Sequence, residues 1–139
     1  MALNLKYAVT MSRAQLDAIT TAVGANALID IMSGVQATNP DTAIGAQVVL
    51  ATLTCGAVFA PAAAGTPAVL TLNAIANGTG TAAAGAGTTA TWYRLKTSGG
   101  VAKVDGTVGI SGSDMNLNNT SIATNQTVSI TSFTLTNSQ

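Results

Sequence analysis

The sequence of 139 residues is long enough for one domain and too short for two. Only 7% of the residues are charged and the net charge is zero, whereas about 25% are charged in an ordinary soluble domain. With 47% hydrophobic residues, the composition excludes disorder of the whole chain, which needs high net charge and low hydrophobicity. It also excludes the basic face that nucleic-acid binding requires.

The hydrophobic residues do not form a membrane-spanning segment. The most apolar run, Gln47 to Pro61, is interrupted by Thr52, Thr54 and Gly56, and a span needs about 20 predominantly apolar residues. Residues 1–11 lack the basic start and apolar block of a secretory signal. The sequence therefore predicts neither membrane insertion nor secretion.

The surface is expected to consist of Thr, Ser, Asn and Ala, which occupy the places that Lys and Glu normally take. Such a surface suits broad, permanent contact, because few charges must be desolvated when a neighbour covers it. It also provides little repulsion between copies in solution. The composition therefore favours a protein that functions in an assembly.

The chain begins with a predicted N-terminal arm at residues 1–11. Leu3, Leu5 and Tyr7 alternate onto one side, which is typical either of an edge strand or of an extended arm that pairs with a neighbour.

A helix is predicted at about residues 12–23, where Leu16, Ile19 and Val23 recur at helical spacing. Ser12 and Gln15 have the spacing of a capping box at its start, and the glycine after Val23 favours termination.

After this helix the hydrophobic period changes to two, which predicts strands. The expected strands before the middle of the chain lie at residues 27–32, 46–54, 57–60 and 68–72. The segment Asn73 to Thr89 is rich in Ala, Gly and Thr and is predicted to be a loop, with residues 74–76 as a further strand candidate.

Strand signals are clearest in the last fifty residues. Segments 89–97 and 101–105 flank Ser98-Gly99-Gly100, which indicates a β-hairpin. Asp105-Gly106 and Ser111-Gly112 indicate two further turns, and 127–136 is a long final strand. Apolar residues change parity around Thr131 in that strand, which predicts a β-bulge.

Seven or eight short strands, frequent turns and one helix predict a mainly β fold, a β-sandwich or jelly roll spanning residues 12–139. The strand order is not readable from the sequence.

No catalytic constellation is visible. The chain contains no His, so the usual base for a Ser or Cys nucleophile is missing, and Cys55 alone forms neither an internal disulfide nor a zinc site. Apolar neighbours predict that Cys55 is buried. Asp105 and Asp114 lie beside turn residues, which favours turn hydrogen bonds over the alternative of a calcium site. The glycine-rich segments 78–80 and 85–87 lack the Lys and the following helix of a phosphate loop. We therefore predict no catalytic, metal or cofactor residues and a non-enzymatic protein.

Trp92, Arg94 and Lys96 share one face of a predicted strand. The favoured interpretation is solvated charges beside a core tryptophan. A small cationic ligand site with an aromatic anchor is the second interpretation. An interface that includes Trp92, Tyr93 and Arg94 is the third, since these residue types anchor many interfaces.

Several segments resemble one known group of proteins. They are, in chain order, Leu5-Lys6-Tyr7, Leu16-Asp17-Ala18-Ile19-Thr20, Thr91-Trp92-Tyr93-Arg94, Asp105-Gly106-Thr107-Val108-Gly109, Met115-Asn116-Leu117-Asn118 and the run Val128 to Thr134. Together they resemble the small head proteins of tailed bacteriophages, of the capsid decoration or cement type. The resemblance covers the first thirty and the last fifty residues.

This resemblance implies a structural virion protein, made in the host cytoplasm, that binds the capsid exterior. It implies contacts with the major capsid protein and with other copies of the chain, as a dimer or trimer, that stabilise the expanded head. The contact residues that we predict are Leu3, Leu5 and Tyr7 of the arm and then Trp92, Tyr93 and Arg94. Two alternatives stay open: a tail or fibre component, and a carbohydrate-binding β-sandwich in which Trp92 and Tyr93 stack on sugars.

Overall fold

The computed structural model describes residues 4–137, which form a mainly β fold with one α-helix near the N-terminus. This confirms the fold class predicted from the sequence. The helix, α1, comprises Val9–Val23, and Ala82–Ala84 form one turn of 3₁₀ helix. The strands are β1 Leu28–Ser33, β2 Val48–Thr54, β3 Ala68–Thr71, β4 Gly78–Thr79, β5 Thr88–Thr89, β6 Trp92–Lys96, β7 Ala102–Gly109, β8 Met115–Leu117, β9 Ser121–Ile122, β10 Thr127–Val128 and β11 Ile130–Asn137.

Seven strands form one large sheet in the order β2-β1-β6-β7-β8-β11-β3. Neighbours are antiparallel except for β7 and β8, which are parallel. Two ribbons, β4 with β10 and β5 with β9, complete a sandwich-like arrangement.

Most apolar side chains of the large sheet point to one side, here called the inner face. Alternation along each strand places Ile29, Ile31, Tyr93 and Leu95 on this face, and all four are buried. Helix α1 packs against β3 and β11 and contributes Leu16 and Val23 to the same core. The opposite, outer face carries the polar residues of the central strands together with Met32 and Trp92, which pair with each other and are buried.

The helix begins at Val9, so residues 9–11 belong to α1 and not to the predicted arm. The capping-box prediction is also wrong. The helix has no side-chain cap at Ala8, and Ser12 lies inside it with no exposed surface. Ser12 falls on the same helical stripe as Leu16 and Val23, so tertiary packing overrides the local capping motif.

The turn prediction at Asp105-Gly106 is wrong, because β7 runs through both residues without a break. Gly106 lies opposite Tyr93, and a Cβ atom at Gly106 would lie 2.6 Å from Cε1 of that ring. Glycine is therefore present for close packing and not for a turn.

The turn predicted at Ser111-Gly112 does lie in a connection, which joins two parallel strands. Such strands usually need a crossover of a dozen or more residues, but here only residues 110–114 intervene. Asp114 joins this loop back to β7, because its Oδ2 accepts hydrogen bonds from the Thr107 amide and hydroxyl, both at 2.8 Å.

Other local predictions have mixed outcomes. The Ser98–Gly100 hairpin joins β6 and β7, and the pairing of β11 with β8 shifts register between Ile130 and Ser132, as the predicted bulge requires. Segment 57–60 is not a strand; its apolar character reflects the burial of Phe59 and Ala60. The predicted loop at residues 73–89 contains β4, β5 and the 3₁₀ turn.

Candidate functional site

A row of polar side chains crosses four adjacent strands on the outer face. The register places Thr52 of β2 beside Asp30 of β1, Asp30 beside Arg94 of β6, and Arg94 beside Asp105 of β7. Because each strand presents alternate residues to one face, these four side chains form a continuous line.

Asp30 and Asp105 each have both carboxylate oxygens occupied. Asp30 accepts a hydrogen bond from the Thr52 hydroxyl at 2.7 Å and pairs with the Lys96 ammonium at 2.5 Å. Asp105 accepts two bonds from the Arg94 guanidinium, at 2.8 Å from Nε and 2.7 Å from Nη2. The second arrangement is the bidentate geometry that favours Arg over Lys.

Arg94 is the centre of this row. Its guanidinium also donates to two loop carbonyls, that of Thr42 at 2.9 Å and that of Asn39 at 3.3 Å, and lies over the Trp92 ring at 5.3 Å. The hydrogen bonds to Asp105 raise the pKa of Arg94, with the charges of Asp105 and Asp30 adding to this and burial opposing it. The residue is therefore a permanent cation with several simultaneous partners.

The Arg94–Asp105 pair is buried, with side chains only 4% and 3% exposed. Desolvation offsets much of the attraction in such a pair, so its net contribution to stability is small. Removing one partner is costly, by about 3–5 kcal/mol, since it leaves an uncompensated charge. The row thus fixes the relative positions of the four strands and of the loop.

The loop that Arg94 holds connects β1 to β2 and is called the strap, residues 34–47. Its ends meet where Ser33 pairs with Val48. None of its residues is buried, and Val35 is 83% exposed. Thr91 Oγ1 attaches one end of the strap by donating to the Gly34 carbonyl at 2.6 Å. Within the strap, Gln47 Nε2 donates to the Val35 carbonyl at 2.8 Å.

The second candidate feature is the N-terminal segment, residues 4–8, which has no regular secondary structure. All five residues are exposed, with Leu5 76% and Tyr7 38% accessible. Leu5 and Tyr7 are separated by one residue, so an extended segment presents both to the same side. Met11 of the first helical turn, 54% exposed, adds a third large apolar side chain. Leu3 lies outside the described residues.

The remaining reactive groups lie in the core. Burial raises the pKa of the Cys55 thiol to about 11, so the thiol is protonated at neutral pH. Burial, followed by the charges of Asp114 and Asp105, raises the pKa of Tyr93. Neither group is poised for nucleophilic or acid–base chemistry.

The structure buries three of the predicted site residues on two sides of the sheet, Tyr93 on the inner face and Trp92 and Arg94 on the outer face. Trp92 and Tyr93 are each 1% exposed and Arg94 is 4% exposed. They are internal residues in this conformation, and their role as contact residues stays a prediction. The interpretation of Arg94 as a solvated charge is wrong, and neither the Trp92 ring nor the Tyr93 ring is exposed in this conformation.

The predicted turn role fits Asp114 but not Asp105, which lies in mid-strand. Asp30 was missed as a site residue. An acid between Ile29 and Ile31 in an otherwise apolar strand is a signal for a buried partner, because a lone buried charge is very costly.

No family model, curated protein or solved structure matches the chain. Within residues 4–137, the helices fall short of the length and apolar character that a membrane crossing requires. In the same residues, no three His, Cys, Asp or Glu side chains are grouped so that they could hold a metal ion.

Proposed function

We propose that the protein is a structural component of a bacteriophage head that binds the outside of the capsid shell. It contacts the major capsid protein and further copies of itself, and it performs no catalysis. The proposal rests on the resemblance of its terminal segments to decoration proteins. It also rests on the finding that most of its charged side chains bind to groups within the chain.

The internal use of charge is the observation that carries the proposal. Seven of the ten charged side chains bind to groups within the chain, namely Arg13, Asp17, Asp30, Arg94, Lys96, Asp105 and Asp114. The exterior is therefore dominated by neutral Thr, Asn, Ser and Ala, which a neighbouring protein covers at low desolvation cost.

The N-terminal segment is the contact element in this proposal. An extended segment with exposed backbone and alternating apolar side chains suits addition to the edge of a partner's sheet. Leu5 and Tyr7 then enter pockets on the partner. Many copies, each bound modestly, hold the shell together by multivalency.

The location is tested by density-gradient fractionation of a lysate from the source, with the chain detected in each fraction. We expect it to sediment with head-sized particles and to remain there after a salt wash. Sedimentation with isolated tails would favour the tail or fibre alternative, and a small soluble oligomer in all fractions would contradict a virion role.

The contact element is tested by deleting residues 2–7, which keeps α1 and Ala8, whose carbonyl accepts a hydrogen bond from the Ser12 amide. We expect the truncated chain to melt at the same temperature as the full chain and to lose at least about tenfold in affinity for shells stripped of it, because about 1.4 kcal/mol of contact energy corresponds to that factor.

A point variant locates the effect more sharply. Leu5→Ser with Tyr7→Ser should reproduce the loss, whereas Val58→Ser, a change at another exposed apolar residue, should not. Equal shell occupancy by the full and truncated chains would rule out the segment as the contact element.

A further inference from the structure

The strap is a long loop whose geometry would allow it to open without unfolding the sheet. It is a loop of fourteen residues whose ends are adjacent, since Ser33 pairs with Val48 and Gly34 lies beside Gln47. Compact loops of this kind are frequently functional, and connections this long are uncommon in small domains.

The contacts described between the strap and the sheet are hydrogen bonds. None of the strap residues is fully buried, so the strap has less apolar packing than the core strands. Segments with few buried apolar contacts open locally at a lower free energy than core strands. Gly34, with φ of +85°, provides a pivot at one end where other residues are disfavoured.

Opening has a specific consequence at Arg94. Its guanidinium joins the middle of the strap to the sheet through the carbonyls of Asn39 and Thr42, whereas the bond from Thr91 holds only the end of the strap, at Gly34. Arg94 in turn lies over Trp92, whose indole Nε1 donates to the Ser33 carbonyl at 3.4 Å. The strap therefore covers Arg94, and Arg94 covers the Trp92 ring.

We propose that the strap is a conformational latch, held closed by Arg94, whose local opening uncovers the Trp92–Arg94 pair while the sheet stays folded. Asp105 positions the latch because its bidentate bonds fix the guanidinium plane toward the strap. Trp92 and Arg94 then become accessible to solvent only in the open state. This inference is independent of the proposed capsid role.

The chain contains its own reporter, because Trp92 is its only tryptophan. Acrylamide quenching of Trp92 fluorescence measures access to the ring. Hydrogen exchange followed by mass spectrometry measures opening of residues 35–46 separately from β1 and β6. For the wild-type chain we expect the strap amides to exchange at least about a hundredfold faster than those of β1, since local opening requires far less than global unfolding.

Two variants distinguish local opening of the strap from a general loss of stability. Gln47→Ala removes the contacts from Gln47 to Val35 and Gly45 without touching Arg94. It should speed strap exchange by about fivefold to tenfold, as expected for a lost hydrogen bond or two, and raise Trp92 quenching at an unchanged melting temperature. Asp105→Asn should also speed strap exchange and raise Trp92 quenching, because it loosens the Arg94 guanidinium that holds the strap. This variant should lose stability as well.

Gln126→Ala is the matched control, since Gln126 Oε1 accepts a hydrogen bond from the Ala123 amide in a different loop. It should leave strap exchange and Trp92 quenching unchanged. The proposal is overturned if the wild-type strap is as protected as β1, or if Gln47→Ala leaves Trp92 quenching at the control value. Coincident exchange of strap and sheet in Asp105→Asn would also overturn it, because the latch would then not act locally.

Discussion

Gly106 illustrates how a single residue is fixed by its cross-strand neighbour. It lies opposite Tyr93, which packs edge-to-face on Phe133 with ring centroids 5.1 Å apart. A Cβ atom at Gly106 would lie between 2.6 and 2.8 Å from three atoms of the Tyr93 side chain, namely Cε1, Cζ and the hydroxyl oxygen. The ring cannot retreat easily, because it is 1% exposed and surrounded by core residues.

Gly106→Ala is therefore expected to destabilise the fold by about 1–3 kcal/mol, the usual cost of overpacking a core. Urea unfolding followed by Trp92 fluorescence measures this. Gly99→Ala is the matched control, since a Cβ there would lie 3.7 Å from its nearest neighbour, Thr97 Oγ1. Equal urea midpoints for the two variants would show that Tyr93 accommodates the extra atom.

At the scale of elements, α1 is joined to the turn before β3 by two side chains one helical turn apart. Asp17 Oδ1 accepts a hydrogen bond from the Ala63 amide at 2.7 Å, and Arg13 donates to the Gly65 carbonyl at 3.0 Å from Nη2. The helix thus contributes polar contacts to the turn as well as Leu16 and Val23 to the core.

Asp17→Ala should cost about 1–3 kcal/mol of unfolding free energy, because the Ala63 amide is largely buried and loses an ionised acceptor. Asp17→Asn retains an acceptor oxygen and should recover at least half of that loss. Denaturant unfolding gives both values, and exchange of the Ala63 amide reports the contact itself. An unchanged exchange rate at Ala63 in Asp17→Ala would contradict this role.

Elements defined by local chemistry were predictable from the sequence. The Ser98–Gly100 hairpin and the bulge at Thr131 follow from turn residues and side-chain parity within one or two strands. The start of α1 was not predictable from the same local rules, because Ser12 satisfies a capping motif and also lies on the buried stripe. The contacts of α1 with β3 and β11 place Ser12 inside the helix, on its buried side, and not at the cap position.

The candidate site was less predictable than the fold. The row from Thr52 to Asp105 exists only when the β1–β2 pair and the β6–β7 hairpin, which are distant in sequence, are joined in one register, and the sequence does not specify this pairing. The strap has no hydrophobic period at all, so nothing in residues 34–47 indicates that it covers Arg94. Leu5 and Tyr7 are exposed, since a short segment before a helix has few contacts to gain, and their role as contact residues stays a prediction.

At the scale of the whole molecule, most of the few charged side chains form hydrogen bonds and ion pairs within the chain. They join α1 to a turn, four strands to one another, and the strap to the sheet. Little charge is left to steer association or to repel neighbours. Binding to a shell through such a surface should therefore depend weakly on ionic strength. Affinity should change less than about threefold between roughly 0.1 M and 1 M NaCl, because screening acts on exposed charges.

One added charge should then be enough to locate the contact face. Thr10→Glu places a carboxylate beside the N-terminal segment, in the first turn of α1, where the helix dipole favours it and folding is not impaired. If this region contacts the shell, an unpaired carboxylate must be desolvated on binding, and affinity should fall by at least about tenfold. Ser98→Glu, at the exposed tip of the β6–β7 hairpin, adds the same charge elsewhere and should bind as the unmodified chain does. Comparable losses for both variants would indicate that net charge governs binding and not local contact. A loss for Ser98→Glu alone would move the contact face to the hairpin end of the sheet.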